Sequence, residues 1–142
     1  MKFTPAMLLG LPFWLGPVMC ALASEANISL PPGQGLTFPE QSGEGLYRAL
    51  CRACHMENGQ GATGAGTYPS LRANPKMAAA GYPVALVLNG QKAMPSLGDY
   101  LSNEQVAAVV GYVRTHFDHY YTEAVTSTDV EKMRSSFLSQ RK

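Results

Sequence analysis

Apolar side chains recur at helical spacing in three places along the chain. The clearest stripe is Val106, Val109, Val110, Val113 and Phe117, and the run Ser102-Asn103-Glu104-Gln105 before it is a capping box. Tyr112 flanks the stripe, and Arg114 and His116 fall near the carboxyl end, where the helix dipole favours positive charge. Upstream, Ser42 is a helix start, and Gly43, Leu46, Tyr47 and Leu50 share one face as far as Cys51. Gly43 is the odd member, because glycine weakens a helix unless something packs against its bare backbone. Near the end, Thr128 with Glu131 predicts a capped helix carrying Val130, Met133 and Phe137 on one side.

The middle of the chain is more broken. Asn74-Pro75 opens a short helix that Gly81 should end, and Pro83 opens another over Val84 to Leu88, stopped by Asn89-Gly90. The stretch from Asn58 to Gly66 is too glycine-rich for helix or strand. It is not a phosphate loop, since no GKS or GKT follows it and no strand precedes it. We expect a flexible loop close to the functional site there. Gln91 to Tyr100 has no period, and Pro95 biases Met94 towards an extended backbone suited to a side chain reaching inward from a loop. With no alternating strand pattern and no internal repeat, the expectation is an all-α fold.

Residues 1–23 do not belong to that fold. Lys2 precedes an apolar run from Ala6 to Ala23 that ends in Ala21-Leu22-Ala23, the pattern of a cleaved secretory signal peptide. A membrane anchor would need a longer run than one interrupted by Gly10, Pro12, Gly16 and Pro17, and lipid attachment at Cys20 would want a smaller neighbour than Met19. Residues 24–41, with Pro31, Pro32, Gly33, Gly35 and Pro39, read as an extended arm. One domain over 42–117 and a C-terminal extension over 118–142 carrying a short helix packed on it complete the chain.

Charge changes the picture little. Eleven Lys and Arg face ten Asp and Glu in the 142-residue chain, which gives nucleic acid nothing to bind. Arg48, Arg52, Arg72, Lys76 and Lys92 gather in the first part of the domain, and a basic rim there would steer an acidic partner, although scattered charge is usually a solvated face.

Cysteine chemistry changes it more. Of three cysteines, signal cleavage removes Cys20 and leaves Cys51 and Cys54 inside Cys51-Arg52-Ala53-Cys54-His55. This CxxCH run reads as the covalent attachment site of a haem c. Two thiols three positions apart lie on adjacent turns of one helical segment and can add to two vinyl groups on one porphyrin edge, and the following imidazole of His55 can ligate the iron. A redox CxxC would need no histidine, and a zinc site would need a second ligand pair that the sequence lacks.

From about Ser42 to Phe117 the chain resembles the class I c-type cytochromes, which are small, all-helical, single-haem electron carriers. The resemblance rests on CxxCH at 51–55, on Gly43 and Tyr47 ahead of it, and on Val109 and Tyr112 in the later helix. It implies that the N- and C-terminal helices cross around a covalently bound haem, with the Gly43 backbone touching the other helix. It further implies that the Pro69 carbonyl accepts a hydrogen bond from His55, and that Met94 in Ala93-Met94-Pro95 supplies sulfur as the second iron ligand. His116 and His119 are the other conceivable ligands, or else helix-end and surface histidines. Met77 and Met133 have the spacing of core filler, and Met56 is too close to His55 to reach the opposite side.

More loosely, the tail with Tyr120-Tyr121 and Thr126 to Val130 looks like that of cytochromes serving periplasmic dehydrogenases. The resulting expectation is a periplasmic one-electron carrier rather than an enzyme. It would be free of the membrane after signal cleavage, would take electrons from a dehydrogenase, and would pass them to a terminal oxidase or another cytochrome. The alternatives are a permanent haem subunit of a dehydrogenase complex, for which Tyr120, Tyr121 and Phe137 would offer an apolar patch, and a ligand-sensing or catalytic haem with a displaceable Met94.

Overall fold

In a computed structural model of the chain, residues 38–64 and 66–140 are described, all within the unit Pro32–Lys142. The expected signal peptide, 1–23, and the arm up to residue 37 lie outside the described residues.

Ser42 begins the first helical run as expected, its hydroxyl accepting the Gly45 N–H at 3.1 Å. The run has three parts: α1 (Gly43–Leu46), a π-helical turn (Tyr47–Cys51) and α2 (Arg52–His55). The wider π turn shifts the helical face, so the phase that buries Leu46 and Tyr47 does not carry through to Cys54 and His55. Met56, at φ 65°, ends the run, and its carbonyl accepts the Tyr47 hydroxyl at 2.7 Å. Burial, with Cys51 adding to it, pushes the Tyr47 phenol up to about 12, so it remains a donor.

The glycine-rich stretch folds back on itself. Two-residue strands β1 (Ala62–Thr63) and β2 (Thr67–Tyr68) pair antiparallel, Ala62 opposite Tyr68 and Thr63 opposite Thr67. Strands this short leave no readable alternation, and the helical expectation for the fold holds around them. A 3-10 turn (Pro75–Ala78) is capped by Asn74, and α3 (Gly81–Asn89) follows. Gly81 therefore starts α3 rather than ending the turn, and Pro83 sits in its first turn, where a missing N–H costs nothing.

α4 (Asn103–Thr115) carries the complete capping box of Ser102 and Gln105. The Gln105 amide also donates to the carbonyls of Phe38 and Glu40 at 2.7 and 2.8 Å, which ties the end of the arm to this helix. Val106, Val109, Val110 and Val113 are buried against Leu46 and Tyr47. Phe117 lies past the helix end at φ 57° and reaches the Tyr47 ring, centroids 4.8 Å apart, from the turn. At Gly43 the α1 backbone lies against α4: an added Cβ would overlap the Ala108 carbonyl and stand 2.8 Å from the Tyr112 Cβ.

The last helix, α5 (Ser127–Gln140), packs on α3 and α4. Its cap is Thr126 with Asp129, two residues earlier than Thr128 with Glu131, because the Asp129 carboxylate reaches both the Thr126 hydroxyl, 2.6 Å, and its N–H, 3.1 Å. Val130 is fully buried, with Met133 and Phe137 half-buried beside it. Arg134 anchors the helix to the start of α4 and the loop ahead of it through Asn103 Oδ1 and the carbonyls of Gly98 and Leu101.

The hydrogen bonds from Thr126 hold the Asp129 carboxyl below its ordinary 3.8. A depressed folded value stabilises the fold above the ordinary value, and that contribution disappears as pH falls through the folded value. Asp129→Asn should therefore melt below the wild type at about neutral pH, and the gap should close in melts recorded down through 3.8.

Candidate haem site

Cys51 and Cys54 are half-buried free thiols on the π turn and α2. Burial, reinforced by the neighbouring Cys54, pushes the Cys51 thiol up to about 11. Dithiol oxidoreductases need the opposite at the attacking thiol, a thiolate stabilised at neutral pH, and burial of Cys51 works against that. Among the described residues no group of three His, Cys, Asp or Glu side chains is placed to hold a bare metal ion.

His55, the last residue of α2, donates from Nδ1 to the Pro69 carbonyl at 3.0 Å, the hydrogen bond that the resemblance implies. That bond puts the proton on Nδ1 and leaves the Nε2 lone pair for a metal. The loop that brings Pro69 there is built on glycine. The Gly61 N–H donates to the His55 carbonyl at 3.0 Å, and the Gly59 carbonyl accepts the Leu71 N–H at 2.7 Å. Gly59, at φ +66°, lies under the Phe117 ring, 2.7 Å from where a Cβ would be. Gly59 and Gly61 are thus demanded by protein neighbours, whereas no protein atom lies within 4 Å of a Cβ added at Gly64 or Gly66.

Met94 closes a tight turn in which Gln91 and Met94 exchange both backbone hydrogen bonds, 3.0 and 2.9 Å. The turn is tied to α3 by the Leu97 N–H on the Val87 carbonyl, 2.9 Å, and the Ser96 hydroxyl on the Leu88 carbonyl, 2.6 Å. Met94 is half-buried and, like Leu50, Cys51, Leu71 and Leu97, packs against the hydrophobic core of the described residues. Cys51 and Met94 thus both lie against the hydrophobic core, Cys54 and His55 follow Cys51 on α2, and two thiols, an imidazole and a thioether are a donor set that fits a haem c. A cavity of about 270 Å3 between α3 and α5, lined by Gly81, Val84, Val125 and Met133, involves none of them.

His116 and His119 both hydrogen-bond backbone carbonyls, through different ring nitrogens. His116 donates Nδ1 to the Tyr112 carbonyl, 2.8 Å, and stacks on that ring. His119 is only 3 % exposed, its Nε2 2.6 Å from the Leu71 carbonyl, and so is not a surface residue. Met77 is buried filler, as its spacing suggests. The basic rim is largely cancelled: Arg48 pairs with Glu44 and Glu57, Arg52 with Glu57, and Arg72 with Asp118.

Sequence reasoning missed Arg114. It is 1 % exposed, and its guanidinium donates to the carbonyls of Met77, Ala78 and Glu123 at 3.0, 3.2 and 2.7 Å. The signal was present, because a residue directly after Val113 can share the buried face, yet a basic residue in a last helical turn is ordinarily read as a dipole partner.

A helical domain with CxxCH on its first helical run, a proline carbonyl on the histidine and a methionine packed on its core is that of a small c-type cytochrome. Residues 39–113 match the family described as cytochrome c oxidase, cbb3-type, subunit III, and the chain belongs to that family of haem c electron-transfer domains. It is also 33 % identical over 124 residues to the fructose dehydrogenase cytochrome subunit of Gluconobacter japonicus, a match covering 77 % of this chain and 25 % of that one. The chain thus spans about a quarter of the length of this relative. Among the described residues no helix is long and apolar enough to cross a membrane.

Proposed function

We propose that the chain is a periplasmic one-electron carrier with a single haem c, held by thioethers from Cys51 and Cys54 and ligated by His55 and Met94. It takes electrons from a dehydrogenase and passes them to a terminal oxidase or another cytochrome. The observation that carries the reading is the 3.0 Å bond from His55 Nδ1 to Pro69, which prepares Nε2 as a ligand directly beside two unpaired thiols.

When bound, the haem supplies an iron that alternates between ferric and ferrous. The protein's part is to orient and to tune. Cys51 and Cys54 fix one porphyrin edge, the Pro69 carbonyl holds the imidazole plane, and the Met94 thioether favours the ferrous state and raises the potential. Leu50, Leu71 and Leu97 keep the surroundings apolar. With His55 and Met94 both holding the iron, no bond to a substrate would be needed.

The matured protein should show the weak far-red sulfur-to-iron band when oxidised. Met94→Ala should abolish it and shift the oxidised-to-reduced ratio at least tenfold towards oxidised, about 59 mV or more in potential. A wild-type protein without the band, or one whose reduced form takes up carbon monoxide readily, would instead have an open sixth position and be a sensor or an enzyme.

Two observations favour a second reading, a permanent subunit of a dehydrogenase: the name of the Gluconobacter relative, and Tyr120, 86 % exposed on the extension. Native mass measurement of the protein from its own cells separates the two, a monomer supporting the carrier and a stoichiometric complex the subunit.

A further inference from the structure

The loop that carries Pro69 is tied on one side to the Gly59 carbonyl and on the other to the chain that leaves α4. The Ala73 N–H donates to the Phe117 carbonyl at 3.0 Å, and Arg72 pairs with Asp118 at 2.8 Å. That ion pair is about half exposed, and such a pair contributes roughly 0–1 kcal/mol at most. The buried side-chain tie is His119, whose Nε2 donates to the Leu71 carbonyl at 2.6 Å. Its ring stacks on Tyr121, centroids 5.5 Å apart, and the Tyr121 ring lies 5.7 Å from the buried Arg114 guanidinium. An unbroken series of packed groups thus runs from the guanidinium that fastens residues 77, 78 and 123, through Tyr121 and His119, to Leu71, two residues from the carbonyl that orients His55.

We propose that His119 is a positioning residue for the redox centre: through the Leu71 carbonyl it holds the Pro69 carbonyl against His55 Nδ1, so the C-terminal extension sets how strongly that imidazole donates to the iron. The inference rests on the His55-ligated haem proposed above. A hydrogen bond from Nδ1 makes the imidazole more electron-rich and favours ferric iron, so a loosened loop favours ferrous iron and raises the potential. Leu71 is the lever because its N–H is itself fixed to the Gly59 carbonyl at 2.7 Å, on the segment that leaves α2 directly after His55.

The test uses the matured holoprotein and reads two quantities, the midpoint potential and the hydrogen-exchange rate of the His55 Nδ1 proton by NMR. In His119→Leu we expect a shift of at least threefold in the ratio towards reduced, about 28 mV at 59 mV per tenfold, and at least tenfold faster exchange. His119→Gln, whose amide nitrogen stands near the Nε2 position, should restore both quantities. His119→Asn, whose amide stands near the Nδ1 position, should not. The Gln and Asn pair carries the test if His119→Leu does not mature.

Variants that lose thermal stability but keep the wild-type potential and exchange rate, or Gln and Asn variants that behave alike, would overturn the proposal and leave His119 as a packing residue. Failure of the underlying haem reading is separable, because it would show in the wild type as an absent c-type spectrum before any variant is made.

Discussion

Gly43→Val should be among the most damaging single substitutions in the chain, lowering stability by about 3 kcal/mol and the melting temperature by roughly 10 °C, or preventing maturation altogether. A Cβ at this position meets the Ala108 carbonyl and the Tyr112 Cβ, which belong to the backbone and the stem of α4 and cannot rotate away. Relief requires α1 to lift off α4, which would open the contact of Leu46 and Tyr47 with the valine stripe. Gly43→Ala provides the graded comparison, with a smaller loss of the same sign. Gly111→Ala provides the control: it is also a helical glycine of α4, but nothing lies within 4 Å of its added Cβ, so it should be neutral or slightly stabilising. Denaturant unfolding of the three holoproteins checks the order, and equal effects at positions 43 and 111 would refute the close-packing argument.

Arg114→Met should cost about 3–5 kcal/mol, although methionine fills a similar volume and suits an apolar interior. The loss comes from the partners left behind, since the carbonyls of Met77, Ala78 and Glu123 lose their charged donor together. Lysine should not rescue, because one ammonium on a flexible stem cannot reproduce a planar fork that serves three separate carbonyls. The accompanying ion pair to the Glu123 carboxylate, 3.5 Å away and 80 % exposed on the acid's side, should matter little, so Glu123→Gln should change stability by less than about 0.5 kcal/mol. Thermal unfolding of the three variants separates the carbonyl bonds from the ion pair.

The parts of this protein that sequence reveals are those whose cause is local. CxxCH carries its chemistry in five consecutive residues, and the valine stripe with its Ser102–Gln105 box declares α4 because capping and helical period both act within a few residues. The less legible parts depend on partners distant in the chain. The π turn at Tyr47–Cys51 leaves no compositional mark, and the strands at residues 62–63 and 67–68 are too short for a period. The cap of α5 is Thr126 with Asp129 and not Thr128 with Glu131, a choice that the spacing of threonine and acid, the same in both pairs, does not reveal.

Sequence by itself therefore determined the helical class, and it supplied the proposal of Cys51, Cys54 and His55 for haem attachment and, through the family resemblance, of Pro69 and Met94 as their companions. It also marked Gly43 as needing a neighbour. Only the tertiary structure decided which neighbour, and that Arg114 and His119, ordinary helix-end residues in the linear reading, are buried and bonded to carbonyls 37 and 48 positions away. The reason is physical. A backbone carbonyl looks the same at every position of a sequence, so which carbonyls a long polar side chain will satisfy is settled when the elements pack and water is excluded from them.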